Sequence, residues 1–172
     1  MKSCFHEGGS VLDVGCGNGF LLRSLQEWCS VELVPYGFDP DEDRLSEVCE
    51  IFPNCAGNFV KCDVDEFLEN PPDHWPRTFH FIYCSLWGRG RFKSEEAKAR
   101  IAGLWGRTSR GGRLVLGLYG SNRIPVGSSE HGDEREELLD TIEAVRDLGY
   151  PVSGQASSEG QRNNYVTWLV KD

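Results

Sequence analysis

Apolar and polar positions along the chain switch repeatedly between two periods, and each switch marks a change of element. Ser10 to Val14 is a short apolar run ending in glycines, the pattern of a buried strand. Phe20, Leu21, Leu25 and Trp28 then recur at helical spacing, with Asn18 placed to cap that helix. Glu32 to Phe38 is the next strand, and Leu45, Val48, Cys49 and Phe52 fall at i, i+3, i+4 and i+7 on one face of a second helix. Asn58 to Cys62 reads as a third strand, Asp65 to Glu69 as a short helical turn closed by Pro71-Pro72, and Phe79 to Ser85 as a fourth strand. A helix from about Ser94 to about Arg107 starts on a good N-cap, with Glu95 and Glu96 in the first turn, where the helix dipole favours acids. Arg113 to Tyr119, entered through Gly111-Gly112, is the fifth strand. Asp133 with Glu136 makes a capping-box-like start for a last helix striped by Leu138, Ile142, Val145 and Leu148. Val152 to Ser157 and Tyr165 to Val170 are two further strands, joined through the polar stretch Ser158 to Asn164 as a hairpin. Five β-α units followed by two consecutive strands predict an α/β sheet whose strands are mostly parallel.

Composition narrows this without redirecting it. With 172 residues and 39 % hydrophobic positions, the chain is expected to form one globular domain. No apolar run approaches the roughly 20 residues needed to cross a bilayer, and Met1 to Ser10 has no apolar stretch of the kind secretion requires, so a cytoplasmic location without membrane attachment is expected. The seven cysteines contain no C-x-x-C, so neither a disulfide framework nor a metal site is indicated, and they read as reduced, mostly core thiols.

The net charge of −9 is unevenly spread. Residues through Ser85 carry fifteen acids and five bases, Leu86 to Pro125 two acids and nine bases, and the remainder ten acids and four bases. A block of net +7 between two acidic blocks marks a candidate anion-facing surface; a solvated helix face is the plainer alternative.

The stretch Val11-Leu12-Asp13-Val14-Gly15-Cys16-Gly17-Asn18-Gly19 carries the chemistry. Glycines at 15, 17 and 19, after a strand and before a helix, let the backbone turn sharply and approach a ligand closely. The spacing is G-x-G-x-G rather than the dinucleotide pattern G-x-G-x-x-G, and Asp13 at the strand end would repel a pyrophosphate while suiting a cationic or zwitterionic ligand. Two further acids end strands. Asp39 lies where a carboxylate accepts ribose hydroxyls in nucleotide-binding α/β folds, although Asp39-Pro40-Asp41-Glu42 also reads as an N-cap, a Pro at N1 and a capping acid. Asp63 could accept from an exocyclic adenine amine while Val64 offers its N–H; Asp63-Val64-Asp65-Glu66 is equally a capping box.

On the segments V-L-D-V-G-C-G-N-G at 11 to 19, G-F-D at 37 to 39, K-C-D-V at 61 to 64, F-I-Y-C-S-L at 81 to 86 and G-G-R-L-V-L at 111 to 116, the chain resembles the class I S-adenosylmethionine-dependent methyltransferases. The resemblance implies a Rossmann-like seven-stranded sheet in the order 3-2-1-4-5-7-6 with strand 7 antiparallel. It divides the chain into a short N-terminal segment (1–9), a cofactor-binding core (10–119) and a loop, last helix and hairpin (120–172). It implies S-adenosyl-L-methionine as cofactor: Asp13, Gly15, Cys16 and Gly17 around the methionine part, Asp39 and Pro40 at the ribose, Asp63 and Val64 at the adenine, Cys84 and Ser85 at the methionine end.

Departures matter as much. His80 stands where many relatives have an acid, at the entry end of the fourth strand, and reads as a sheet-end residue. Asn70-Pro71-Pro72-Asp73 lies before the fourth strand and lacks the aromatic of the N-P-P-Y signature of amino-group methyltransferases, so that reading is rejected. Methyl transfer needs mainly proximity and a dry site, and a base only for a hydroxyl acceptor; Tyr119 and His131 are the candidates. Arg89, Arg91 and Arg123, beside Trp87, are expected at the crevice mouth, which points to a small polar, anionic acceptor. Lys98, Arg100, Arg107, Arg110 and Arg113 are expected on a solvated face. The competing expectations are a cofactor-binding or non-catalytic subunit needing a partner, and an enzyme acting on protein or RNA, nucleic acid being disfavoured by the acidic surface. Only nine residues precede the first strand, so the loop after the fifth strand (Gly120 to Gly132), a second copy of the chain, a partner chain or a large substrate is expected to complete an open site.

Overall fold

The computed structural model describes residues 4–85, 94–119, 134–158 and 164–172. Its elements are β1 (Gly9–Val14), α1 (Phe20–Trp28), β2 (Leu33–Asp39), α2 (Glu42–Ile51), a 3-10 turn (Pro53–Asn58), β3 (Phe59–Lys61), α3 (Val64–Glu69), β4 (Phe79–Ser85), α4 (Glu95–Arg107), β5 (Thr108–Tyr119), α5 (Glu134–Asp147), β6 (Val152–Ser158) and β7 (Asn164–Val170). The seven strands form one sheet in the order β3-β2-β1-β4-β5-β7-β6. The first five are parallel to their neighbours, and β7 runs antiparallel to both β5 and β6. This is the expected order.

A parallel sheet must be covered on both faces, and the alternation along β4 shows how. Ile82 and Cys84 join Leu12, Phe38, Ile101 and Leu104 in the core under α3, α4 and α5. Phe81 and Tyr83 face the other way, onto Leu22 and Leu25 of α1, Val48 of α2, and Cys4 and Phe5 ahead of β1. Among the described residues, no helix is long and apolar enough to cross a membrane.

Several local expectations are corrected. Asn18 does not cap α1; Gly19 is the N-cap residue, at φ 77°, and the Asn18 side chain accepts one step away from the Phe20 amide at 3.3 Å. β3 is shorter than its apolar run, because Pro53–Asn58 winds into a 3-10 turn and Asn58 donates its side chain to the Pro35 carbonyl at 2.9 Å. β5 begins at Thr108, ahead of Gly111-Gly112, with an irregularity between Phe79 and Phe81 of β4 absorbing the shift in register. Cys49 is exposed although it lies on the apolar stripe; only Val48 of α2 is fully buried, so the buried stripe is narrower than the sequence pattern. Four cysteines are buried, and none of the seven is in a disulfide.

Four of the described bases of the basic block are committed locally. Arg100 pairs with Asp65 and Glu96, Lys98 with Glu95, and Arg107 donates to the Leu68 carbonyl. Arg113, expected on a solvated face, donates to the Cys4 carbonyl at 3.0 Å, tying the segment ahead of β1 to β5. His80 lies at the sheet's entry end as expected: its Nδ1 stands 3.2 Å from the Ser10 amide, and its own amide donates to Ser10 Oγ.

Candidate functional site

From β1 the chain crosses to β2 and β3 on one side and to β4 and β5 on the other, and this reversal opens a crevice at the carboxyl ends of β1 and β4. Asp13 pairs in register with Gly37 of β2 and Tyr83 of β4, and Val14 with Cys84. The fold therefore brings the loop after β1, Asp39 at the end of β2, Asp63 after β3, and Cys84 and Ser85 at the end of β4 to one edge of the sheet.

The glycine loop is held by its own amides. Gly15 and Cys16 both donate to the Phe38 carbonyl, at 2.9 and 3.0 Å, Gly19 donates to the Cys16 carbonyl at 2.9 Å, and Gly17 donates to Asp39 Oδ2 at 2.8 Å. Gly15, Gly17 and Gly19 all have φ between 55° and 77°, a region that L side chains adopt only at a cost. Cys16 is buried behind the loop against Gly37, where an added Cβ would stand 2.7 Å from Cys16 Cβ, so glycine in β2 is what lets the loop seat. At Gly15 an added Cβ would meet nothing within 4 Å, so the loop is open on that side.

The two carboxylates behind the loop differ. Asp39, 6 % exposed, accepts from Gly17 through Oδ2 and from the Asp41 amide through Oδ1 at 2.9 Å. It is not the N-cap of α2: Asp41 is, accepting from the Asp43 and Arg44 amides, and Pro40 stands outside the helix. Asp39 is thus held by the glycine loop, with lone pairs left for a ligand. Asp13 is 3 % exposed and receives no hydrogen bond from the described residues. Burial, and secondarily the charge of Asp39, push its carboxyl up to about 7. The same burial raises the Cys16 thiol above its ordinary value and Cys84 to about 12, so neither is a nucleophile.

Asp63 does cap α3, its Oδ1 taking the Asp65 and Glu66 amides at 2.9 Å each, and the half-buried Val64 opens that helix. The Ser85 hydroxyl is buried without a hydrogen-bond partner among the described residues. Tyr119 ends β5 in register with Asn164. Trp87, Arg89, Arg91, Arg123 and His131 lie outside the described residues. A separate cleft of about 560 Å³ lies at the opposite, amino end of the strands, where α3 leads to β4; it is lined by Asn70, Pro71, Pro72 and Asp73 together with Arg77 and Arg107.

Arg44 is a rim residue that the sequence reading missed. Its side chain lies against the glycine loop, with Cδ 3.9 Å and Nη1 4.0 Å from a Cβ built on Gly17, while its Nε pairs with Asp41 at 3.2 Å. No pattern within the segment 15–19 announces an arginine arriving from α2; the i, i+3 pairing with Asp41 is the only local signal.

Comparisons with known proteins agree with this fold. The family model described as Methionine biosynthesis protein MetW matches residues 1–84. No curated protein sequence matches significantly. Among solved structures, TrmN from Thermus thermophilus is similar at a TM-score of 0.66 and 18 % identity over 99 % of this chain, which spans only 46 % of that protein. A putative rRNA-methylase from Clostridium thermocellum is similar at 0.64 and 15 %, covering 99 % of this chain and 92 % of that one. A SAM-dependent methyltransferase from Geobacter sulfurreducens, solved in complex with S-adenosyl-L-homocysteine, is similar at 0.63 and 12 %, covering 99 % and 88 %. With the strand order and these likenesses together, the chain has the fold shared by class I S-adenosylmethionine-dependent methyltransferases, and its first 84 residues are similar to MetW.

Proposed function

We infer that the chain binds S-adenosyl-L-methionine and transfers its methyl group to a small polar, anionic acceptor. The observation that carries the first half is the direction of the loop's hydrogen bonds. A phosphate-binding loop turns its amides outward to the anion; here the amides of Gly15, Cys16, Gly17 and Gly19 are used inward, and what remains at the crevice is carboxylate. S-adenosylmethionine brings a sulfonium and an ammonium and no phosphate, so it matches a site built of acids.

The residues present fit that group. Asp13 with Gly15, Cys16 and Gly17 would hold the methionine part, Asp39 beside Pro40 the ribose hydroxyls, Asp63 and Val64 the adenine edge, and Cys84 and Ser85 the methionine end. The buried, unpartnered Ser85 hydroxyl and the open side of Gly15 support this assignment. When bound, the cofactor supplies an electrophilic methyl for in-line displacement. The protein contributes position and exclusion of water. Tyr119 and His131 are the candidates for a base should the acceptor be a hydroxyl.

The anionic acceptor rests on charge: Arg89, Arg91 and Arg123 belong to the net +7 block between acidic ones. Alanine at each should raise the acceptor KM while leaving cofactor affinity unchanged. RNA is the second reading, favoured by the likeness to a putative rRNA-methylase. Calorimetry with S-adenosylmethionine tests the shared premise, since absence of binding at millimolar cofactor would remove both. Transfer of a labelled methyl group to a metabolite extract, to total RNA or to neither then separates small-molecule enzyme, RNA enzyme and a subunit that needs a partner.

A further inference from the structure

Asp13 is a carboxylic acid in an unusual position. It is nearly the last residue of the central strand, 3 % exposed, and no described residue donates a hydrogen bond or an ion pair to it. Among the described residues, the groups facing it carry no positive charge. β2 offers Asp39, the loop offers the Cys16 thiol, and β4 offers Cys84 and, in register, Tyr83, whose hydroxyl lies against Gly117. Among the described cations, Arg44 pairs with Asp41 on the loop's outer side, and Arg100 pairs with Asp65 and Glu96. Asp39 has two backbone donors and the buried Asp13 none among the described residues, so it is Asp13 whose ionised form the site leaves unsupported and which holds a proton.

We propose that Asp13 is protonated in the cofactor-free protein and releases that proton to solvent when the cationic cofactor enters, so that binding and proton release are coupled. The step balances in charge: a neutral acid becomes a carboxylate as the ligand's positive charge arrives beside it, and the proton passes to buffer. Affinity for the cofactor should therefore rise with pH across the range below neutrality. This rests on the assignment of the crevice to S-adenosylmethionine, and the experiment separates the two.

S-adenosylmethionine is titrated calorimetrically into the protein at pH 6 in several buffers of different ionisation enthalpy. At that pH the ligand's α-amino group, with an ordinary value near 7.7–8.0, is already protonated and contributes no exchange. A carboxyl titrating at about 7 in the free protein and ionised in the complex releases roughly 0.9 proton at pH 6 and roughly 0.1 at pH 8. Asp13→Asn should make the enthalpy at pH 6 independent of buffer. Should that variant fail to bind, carbon-13 spectra of wild-type protein labelled at aspartate carboxyls decide the matter: one resonance should titrate near neutrality in the free protein and none in the complex. Binding with a buffer-independent enthalpy at pH 6, or aspartate resonances that all titrate in the ordinary acidic range, overturns the proton coupling and leaves the cofactor site standing. No binding at either pH overturns the cofactor site itself.

Discussion

The state of Asp13 also fixes a stability effect that needs no ligand. Its carboxyl titrates at about 7 in the folded protein against about 3.9 in an unfolded chain, so between those values the folded state holds more protons and stability falls as pH rises. Three units at 1.36 kcal/mol each make the full penalty about 4 kcal/mol, reached above pH 7. At pH 5 the same linkage leaves less than half of that penalty. Asp13→Asn keeps the shape and never ionises, and its amide can donate to Asp39. Urea unfolding of wild type and variant, followed by tryptophan fluorescence at pH 5 and pH 8, reads the difference. The variant should gain roughly 2–3 kcal/mol relative to wild type between the two pH values, whatever constant offset the amide brings. A gap that stays flat across that range would show that Asp13 is ionised throughout, and the argument from its missing donors would be wrong.

Three further substitutions or measurements probe other parts of the fold. Gly37→Ala puts a methyl 2.7 Å from Cys16 Cβ and 3.2 Å from Phe59 Cδ1, so it should cost about 1–3 kcal/mol by denaturation and weaken cofactor binding by displacing the loop. Lys171 donates to the carbonyls of Trp105 and Thr108, at 2.8 and 2.7 Å, where α4 ends, and stands 5.7 Å over the Trp105 ring. Lys171→Met keeps the stem and loses these bonds, and should lower the Tm by roughly 2–8 °C for a loss of about 1–2 kcal/mol. Cys49 is exposed while Cys4, Cys16, Cys62 and Cys84 are buried, so brief maleimide treatment followed by peptide mass mapping should find Cys49 modified first and those four untouched until the protein unfolds.

The element order was legible because each strand and helix carries its own period, and the two terminal strands in a row already distinguish this chain from a uniform β-α repeat. What could not be read were the places where one local pattern serves two geometries. Leu45, Val48, Cys49 and Phe52 are equally spaced on a helix, yet only packing decides how wide the buried stripe is, and it stops short of Cys49. Arg44 reaches the glycine loop across 27 positions of sequence, a proximity that no window of residues contains.

Asp39 and Asp63 show the same limit at the site. Each follows or ends a strand run, each precedes a helix, and each is followed at a capping distance by an acid, so the sequence offers the same two readings for both. The structure gives them different work. After β2, Pro40 and the extra acid move the cap to Asp41, and Asp39 turns back to accept from Gly17 across 22 positions. After β3 no second acid intervenes before the helix, and Asp63 itself caps α3 through one oxygen. One carboxylate is therefore built into the loop and the other into a helix start. Asp39→Ala should thus unseat the loop and abolish cofactor binding, whereas Asp63→Asn, which keeps an acceptor for the α3 amides, should weaken it only modestly. Equal losses of affinity, measured by calorimetry, would contradict this division.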